Sequence, residues 1–319
     1  MKTVLRIAGI VCTLLFLGFA FSKVHWRTFL DSLAALRYPW VGAAGLALMA
    51  SMYLRSLRWF IVTGLPLAAR HRVWCAACAG YLGIIYPARV GEVLRMIKLK
   101  QLTGMAGGLA IGSAIADRIL DGLGLGVLLA LLILYGQRAA VVPTALVVIV
   151  WMFVAAGVMM MIFIASGNGL QGLFARVARM GRVGGKLHVW YQESLAGLQA
   201  LRSPSRILLA FACQAAVCLC DIAVCWALFK AFGWQPPFMA NIAMLVYLTA
   251  ALTLPSTPGF VGIYQTAAIF ALAPFAIGNS EAAAYGTVLQ VLTLVLFISS
   301  GVWALRGQAP RTLLADQPR

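Results

Sequence analysis

Four stretches of this sequence place ionisable side chains inside apolar runs. Arg55 and Arg58 lie three residues apart beside Ser51 and Trp59, so the pair shares one face of a helix. Glu92 and Arg95 follow the break Tyr86-Pro87-Ala88-Arg89-Val90-Gly91. Asp117, Arg118 and Asp121 interrupt the run from Ala106 to Tyr135, with the two aspartates four apart on the face of Ser113 and Gly124. Asp221 shares a stripe with Gln214, Cys218 and Cys225. Ionisable groups deep in a bilayer cost on the order of 3 kcal/mol each on insertion scales and read as functional by default. Arginines there can hold a phosphate or pair with acids. Acids can pair with arginines, take a cationic headgroup or carry a proton. Two bland readings compete: Arg55 and Arg58 snorkelling to an interface beside Trp59, and a structural Asp–Arg network.

The bilayer follows from composition. The 319 residues are 63% hydrophobic and 10% charged, against about 25% charged for an ordinary soluble domain. Mean hydropathy is +0.94. The apolar runs are continuous, which excludes the alternating pattern of a membrane barrel. The formal net charge of +17 places basic residues in cytoplasmic loops and against anionic lipid headgroups, with no nucleic-acid partner. Seven cysteines lie in apolar runs, and Cys75-Ala-Ala-Cys78 has redox spacing without a thioredoxin-like context. His25, His71 and His188 are scattered and form no metal site.

Two breaks organise the rest. Val73–Tyr86 is an apolar run of 14 residues, short of the roughly 20 that span a membrane, and it ends at Pro87 and Gly91. Leu252-Thr-Leu-Pro255-Ser-Thr-Pro258-Gly259-Phe-Val-Gly262-Ile-Tyr-Gln265 breaks a second short run. Such breaks free backbone groups that a bilayer tolerates only when they are buried in protein or line a wet cavity. Full spans are expected over 7–21 (retained rather than cleaved), 39–63, 106–135, 141–165, 207–232 and 282–305. The basic segment 168–206 reads as amphipathic helices on the cytoplasmic face.

Placing that segment inside puts both termini inside as well. Span, broken hairpin and span then occur twice with opposite orientation, in halves 39–135 and 207–305. The expected fold is one all-α polytopic membrane domain over 1–319, with six full spans and two re-entrant hairpins in an inverted repeat; eight or more spans with short broken helices is the alternative. Paired breaks in two halves point to a transporter binding site.

Several motifs together resemble a known family. Tyr86-Pro-Ala-Arg-Val-Gly-Glu92 with Arg95, Asp117-Arg118 with Asp121, Pro255-Ser-Thr-Pro-Gly259 with Gly262, and Arg55-Ser-Leu-Arg-Trp59 are similar to the membrane domain of bacterial lysylphosphatidylglycerol synthetases, the multiple peptide resistance factors. The resemblance implies a domain of the bacterial cytoplasmic membrane that translocates aminoacylated phospholipid made by a separate soluble domain. The sequence ends at Arg319 without such a domain and so resembles stand-alone members, some of which accompany hopanoid or other isoprenoid-lipid pathways. Phe260 stands where the family often has a second glycine, and Gln265 near a family glutamate. The loss of that carboxylate implies weaker recognition of a cationic aminoacyl headgroup.

The expected function is therefore a lipid flippase working by alternating access, with no cofactor, no metal and no catalytic residue. Its candidate site residues are Arg55, Arg58, Pro87, Arg89, Gly91, Glu92, Arg95, Asp117, Arg118, Asp121, Asp221, Pro255, Pro258, Gly259, Gly262 and Gln265. Arg89, with Arg55, Arg58 or Arg118, would neutralise a phosphate, and freed N–H groups at Gly91 and Gly259 would add anion contacts. The alternatives are an intramembrane lipid-modifying enzyme and an accessory subunit of a lipid pathway.

Overall fold

The computed structural model describes residues 24–85, 90–135, 144–166, 203–252 and 258–306, together with Gly18. The expected first span, the amphipathic segment up to 202, and Pro87, Arg89 and Pro255 lie outside the described residues. Ten α-helices and no strand occur among the described residues: α1 Trp26–Ala34, α2 Tyr38–Thr63, α3 Arg70–Tyr81, α4 Val90–Thr103, α5 Gly107–Tyr135, α6 Thr144–Ser166, α7 Pro204–Ala231, α8 Met239–Ala251, α9 Ile263–Leu272 and α10 Asn279–Arg306. Prolines open α2 and α7 in their first turn, where the missing N–H costs no hydrogen bond.

By length and composition, α5, α7 and α10 can each cross a membrane, and α1 with α2 makes a fourth candidate if that pair, bent by 85°, is one span. The fold is that of an all-α, multi-pass membrane protein. The polar connection from Lys23 to Arg37 holds a helix, α1, that its composition does not announce. Burial of Phe29 and a 2.8 Å hydrogen bond from the His25 N–H to Ser280 Oγ seat it against the start of α10.

The arms of the two breaks are short. α3 and α4 have 12 and 14 residues, and α8 and α9 have 13 and 10. At 1.5 Å per residue none exceeds about 21 Å, against a hydrocarbon core of about 30 Å, so no arm crosses alone. Each half therefore runs long helix, short broken pair, long helix: α2, α3–α4, α5, then α7, α8–α9, α10.

The packing respects an exchange of the halves. The two leading helices, α2 and α7, form the most extensive pairing. The first arm of each hairpin packs on the last helix of the other half, α3 on α10 and α8 on α5. Within each half the arms pack on one another. A common Pro-x-x-Val-Gly spacing in the two breaks, Pro87–Gly91 and Pro258–Gly262, marks the corresponding positions.

The hairpins close differently. In the first, backbones touch. A Cβ on Gly91 would sit 2.4 Å from the Gly80 carbonyl oxygen, and one on Gly83 would sit 2.0 Å from Gly91 Cα. Only glycine allows that approach. In the second, the break bends through positive φ at Gly259 (71°), Phe260 (54°) and Gly262 (85°). Phe260 adopts a backbone that glycine prefers, so it carries strain.

The largest apolar core joins α5, α7, α8, α9 and α10 and includes Leu128, Phe229, Met244, Tyr264 and Tyr285. A smaller core of Trp59, Val73, Ala76, Leu99 and Met105 holds the first hairpin on α2. The polar site lies beside this smaller core, mostly on the first half, with α7 of the second half contributing Gln214 and Asp221.

Gly91→Val tests the glycine contact. The added bulk should cost about 1–3 kcal/mol, as overpacking does, and lower the thermal unfolding temperature in detergent. Gly42→Ala in α2, where an added Cβ meets nothing within 4 Å, should hold or raise it, because alanine favours a helix over glycine by about 1 kcal/mol.

Candidate functional site: a ring of alternating charges

Four helices bring together four arginines and four carboxylates. α2 supplies Arg55 and Arg58, α4 supplies Glu92 and Arg95, α5 supplies Asp117, Arg118 and Asp121, and α7 supplies Asp221. Each element offers them for a local reason. Three- and four-residue spacing stacks Arg55 with Arg58, and Asp117 with Asp121, on single faces. Glu92 sits in the first turn of α4, where a carboxylate suits the helix dipole. Half of the eight acidic residues in the chain are gathered here.

The ion pairs alternate around a closed circuit. Arg58 Nη2 lies 2.7 Å from Asp117 Oδ1, and Asp117 Oδ2 lies 2.9 Å from Arg95 Nη1. Arg95 Nε is 2.8 Å from Glu92 Oε2. Glu92 Oε1 contacts Arg118 Nη2, and Arg118 Nη1 is 3.1 Å from Asp121 Oδ2. Asp121 Oδ1 closes the circuit at 2.8 Å from Arg58 Nη1. Arg55 joins this ring to α7, with Nη1 3.1 Å from Asp121 Oδ1 and Nη2 2.6 Å from Asp221 Oδ2. Ser51 Oγ donates to Asp221 Oδ1 at 2.6 Å.

Exposure divides the ring. The side chains of Arg58 and Asp117 are 1% and 3% exposed, while Arg55 is 35% and Arg118 45% exposed. Arg58 and Trp59 are buried in the bundle, so neither marks a snorkelling interface. Arg58 also donates to Gln214 Oε1. The Arg95 guanidinium lies over the Trp59 ring, 4.7 Å from its centroid, and Trp59 Nε1 donates to Ser113 Oγ at 3.2 Å. Two buried donors of Arg95 make no hydrogen bond: Nε, which meets Glu92 only as an ion pair, and Nη2.

The second hairpin carries a separate, uncharged network. Gln265 Oε1 accepts from the Gly262 N–H at 3.0 Å. Its Nε2 donates to Gln290 Oε1 at 2.8 Å and Thr287 Oγ1 at 3.1 Å. Gln290 Nε2 donates to the Gly259 carbonyl at 2.6 Å. A glutamine at 265 accepts from the break and donates to α10 at once, which an ionised glutamate could not do.

Of the expected site residues, the structure brings together Arg55, Arg58, Glu92, Arg95, Asp117, Arg118, Asp121 and Asp221. It holds Gly259, Gly262 and Gln265 apart in the neutral network, with Pro258 opening the short turn there. Gly91 makes the arm contact with Gly80 and Gly83, and the Gly259 carbonyl accepts from Gln290. Gln214 and the stacking of Trp59 on Arg95 belong to the site without having been expected there. Gln214 stands seven residues before Asp221, two turns along the same helical stripe, which is the signal for it. Nothing in the spacing pairs Trp59 with Arg95. Among the described residues no group of three or more His, Cys, Asp or Glu is placed to hold a metal.

Residues 6–301 match the family described as the lysylphosphatidylglycerol synthase TM region. The chain belongs to that family. No curated protein and no solved structure matches it. The match takes in both hairpins and every member of the ring, so the ring is a feature of a membrane domain linked to lipid handling. The Pro-x-x-Val-Gly correspondence then shows where the halves of this member diverge: Arg89 corresponds to Phe260, Glu92 to Ile263 and Arg95 to Thr266.

The burial gradient gives a ranked prediction. Asp117→Asn strips the carboxylate from buried Arg58 and should cost about 3–5 kcal/mol. Asp221→Asn, at a partly exposed pair, should cost about 1 kcal/mol or less. Thermal unfolding of the two purified variants reads the order, and equal losses would remove the ring's buried half from the account of stability.

Proposed function

We propose that the protein is a lipid translocase of the bacterial cytoplasmic membrane, with the charged ring as its headgroup site and the two broken hairpins as its gates. The observation that carries this reading is the ring itself. Its ion pairs join α4, the second arm of a hairpin, to α5, α5 to α2 and α2 to α7, at a depth where single charges are costly. Arg118 and Arg55 are its accessible arginines, and Arg95 Nη2 is a donor free to take an anionic oxygen. A headgroup phosphate reaching Arg118 would compete with Glu92. Winning that contact would loosen one of the two ties between α4 and α5, while the Arg95–Asp117 tie keeps the hairpin in register. Headgroup binding and hairpin movement would then be the same event.

The neutral second hairpin fits the complementary role. Its break is stapled to α10 by amide hydrogen bonds, which can be exchanged without moving charge. The two halves would sit with opposite orientation and the termini in the cytoplasm, following the distribution of basic residues. Membrane lipids would be the substrate. A translocase needs no bond-making group, and the ring's carboxylates are all committed to arginines, which leaves none poised as a nucleophile or base.

Reconstitution decides the matter. Liposomes carrying the protein and fluorescent phospholipids of several headgroups should lose the protection of inner-leaflet label from an external quencher faster than empty liposomes. Arg118→Gln, in an exposed position, should slow that movement about tenfold or more, the value of one charge-assisted hydrogen bond. If no lipid moves faster than in empty liposomes, the translocase reading fails. Transport by Arg118→Gln at the full rate would assign the ring a purely architectural role.

A further inference from the structure

A second lipid-sized feature lies on the outer face of α10, away from the ring. A groove of about 580 Å³ is lined by Leu294, Val295, Ile298, Ser299, Val302, Trp303 and Arg306. From Leu294 to Arg306 it runs about 18 Å at 1.5 Å per residue, slightly more than half of the ~30 Å hydrocarbon core, which is the reach of one leaflet. Its wall is apolar over that length except at Ser299, whose hydroxyl donates back to the Leu296 carbonyl at 3.1 Å. Its open end is cationic, since Arg306 closes α10 and is exposed.

More positive charge gathers at that end. The Trp303 ring meets the His71 ring at 6.1 Å, which places the exposed Arg70 and Arg72 at the start of α3 beside it. Arg72 Nη1 donates to the Leu102 carbonyl at 3.4 Å, which brings in the end of α4 with Lys98 and Lys100. No acid balances them among the described residues. Four of the described acids lie in the ring, Glu281 stands at the opposite end of α10, and Asp31 lies on α1, which packs against that same opposite end. Trp303 is half exposed, and a tryptophan beside basic residues at the end of a membrane helix suits headgroup level.

We propose that this groove is a binding site for one anionic glycerophospholipid, its acyl chain lying along Leu294–Val302 and its phosphate on Arg306. Charge selects the occupant. A neutral or zwitterionic lipid gains the same apolar contact but no net attraction from an end that carries five cations. No residue of the ring lines the groove, and the site rests on the membrane setting of α10 rather than on the translocase reading.

Native mass spectrometry of the full-length protein in mild detergent tests it, with added phosphatidylglycerol and phosphatidylcholine of identical acyl chains. The wild type should retain phosphatidylglycerol in preference. Arg306→Gln should lower that retention about fivefold, the worth of one basic residue near a lipid surface. Val295→Trp, which fills the groove without touching its charge, should lower it as well. Arg27→Gln, on α1 away from the groove, should leave it unchanged. Size-exclusion profiles identify any variant that fails to fold, and each of the two groove variants carries the test alone. Equal retention of the two lipids by the wild type overturns the proposal. So does wild-type retention by folded Arg306→Gln or Val295→Trp, the latter being the result if another part of the chain covers the groove. The same wild-type sample in the liposome assay keeps the readings apart, because lipid retention without translocation would defeat the translocase and leave the groove.

Discussion

The contact on which the rest of the site depends is the ion pair between Arg58 and Asp117. Both side chains are buried, and an isolated charge at that depth would cost several kcal/mol. Pairing removes most of that cost only if further hydrogen bonds satisfy the remaining donors and lone pairs. Arg58 therefore reaches Asp121 and Gln214 as well, and Asp117 reaches Arg95. Each added partner brings its own unsatisfied charge, and the circuit closes when Glu92 and Arg118 meet. The ring is the arrangement in which every charge introduced by the first pair finds an opposite neighbour.

That constraint fixes positions more than it adds stability. A buried ion network often gains little over apolar packing of equal volume. What it supplies is register. Four helices must present their charges at matching depth, because a slip of one turn in α4 would separate Glu92 from Arg118 and Arg95 from Asp117 together. The glycine contact between the arms serves the same end, since Gly91 against Gly80 and Gly83 sets how close α4 comes to α3. In the second hairpin, where the corresponding side chains are Phe260, Ile263 and Thr266, apolar burial and four hydrogen bonds of the Gln265 and Gln290 amides do the positioning. The two hairpins share a backbone plan and differ in what holds them.

The membrane class, the repeated order of long helix, broken pair and long helix, and the location of both breaks were legible in the sequence because they follow from the lengths of apolar runs and from proline and glycine. The charged residues were legible as candidates, since an acid or arginine in such a run needs a reason to be there. Helix α1 was not, because a nine-residue segment with charges on several sides shows its role only once Phe29 and His25 have α10 to pack against.

The sequence by itself determined which groups would be costly to bury and on which helical faces they lie, because burial cost and helical spacing are local properties. Tertiary structure decided the pairing. Arg58 and Asp117 are 59 residues apart and Arg55 and Asp221 are 166 apart, and no local rule distinguishes those partners from other arginine–carboxylate combinations. Only the crossing of α2 on α7 and the seating of α4 against α5 does so. The same packing gave Gln265 its neutral partners and left Arg95 Nη2 without one. The reason is general to buried charge: its cost belongs to the residue, but its compensation belongs to the neighbours that the fold provides.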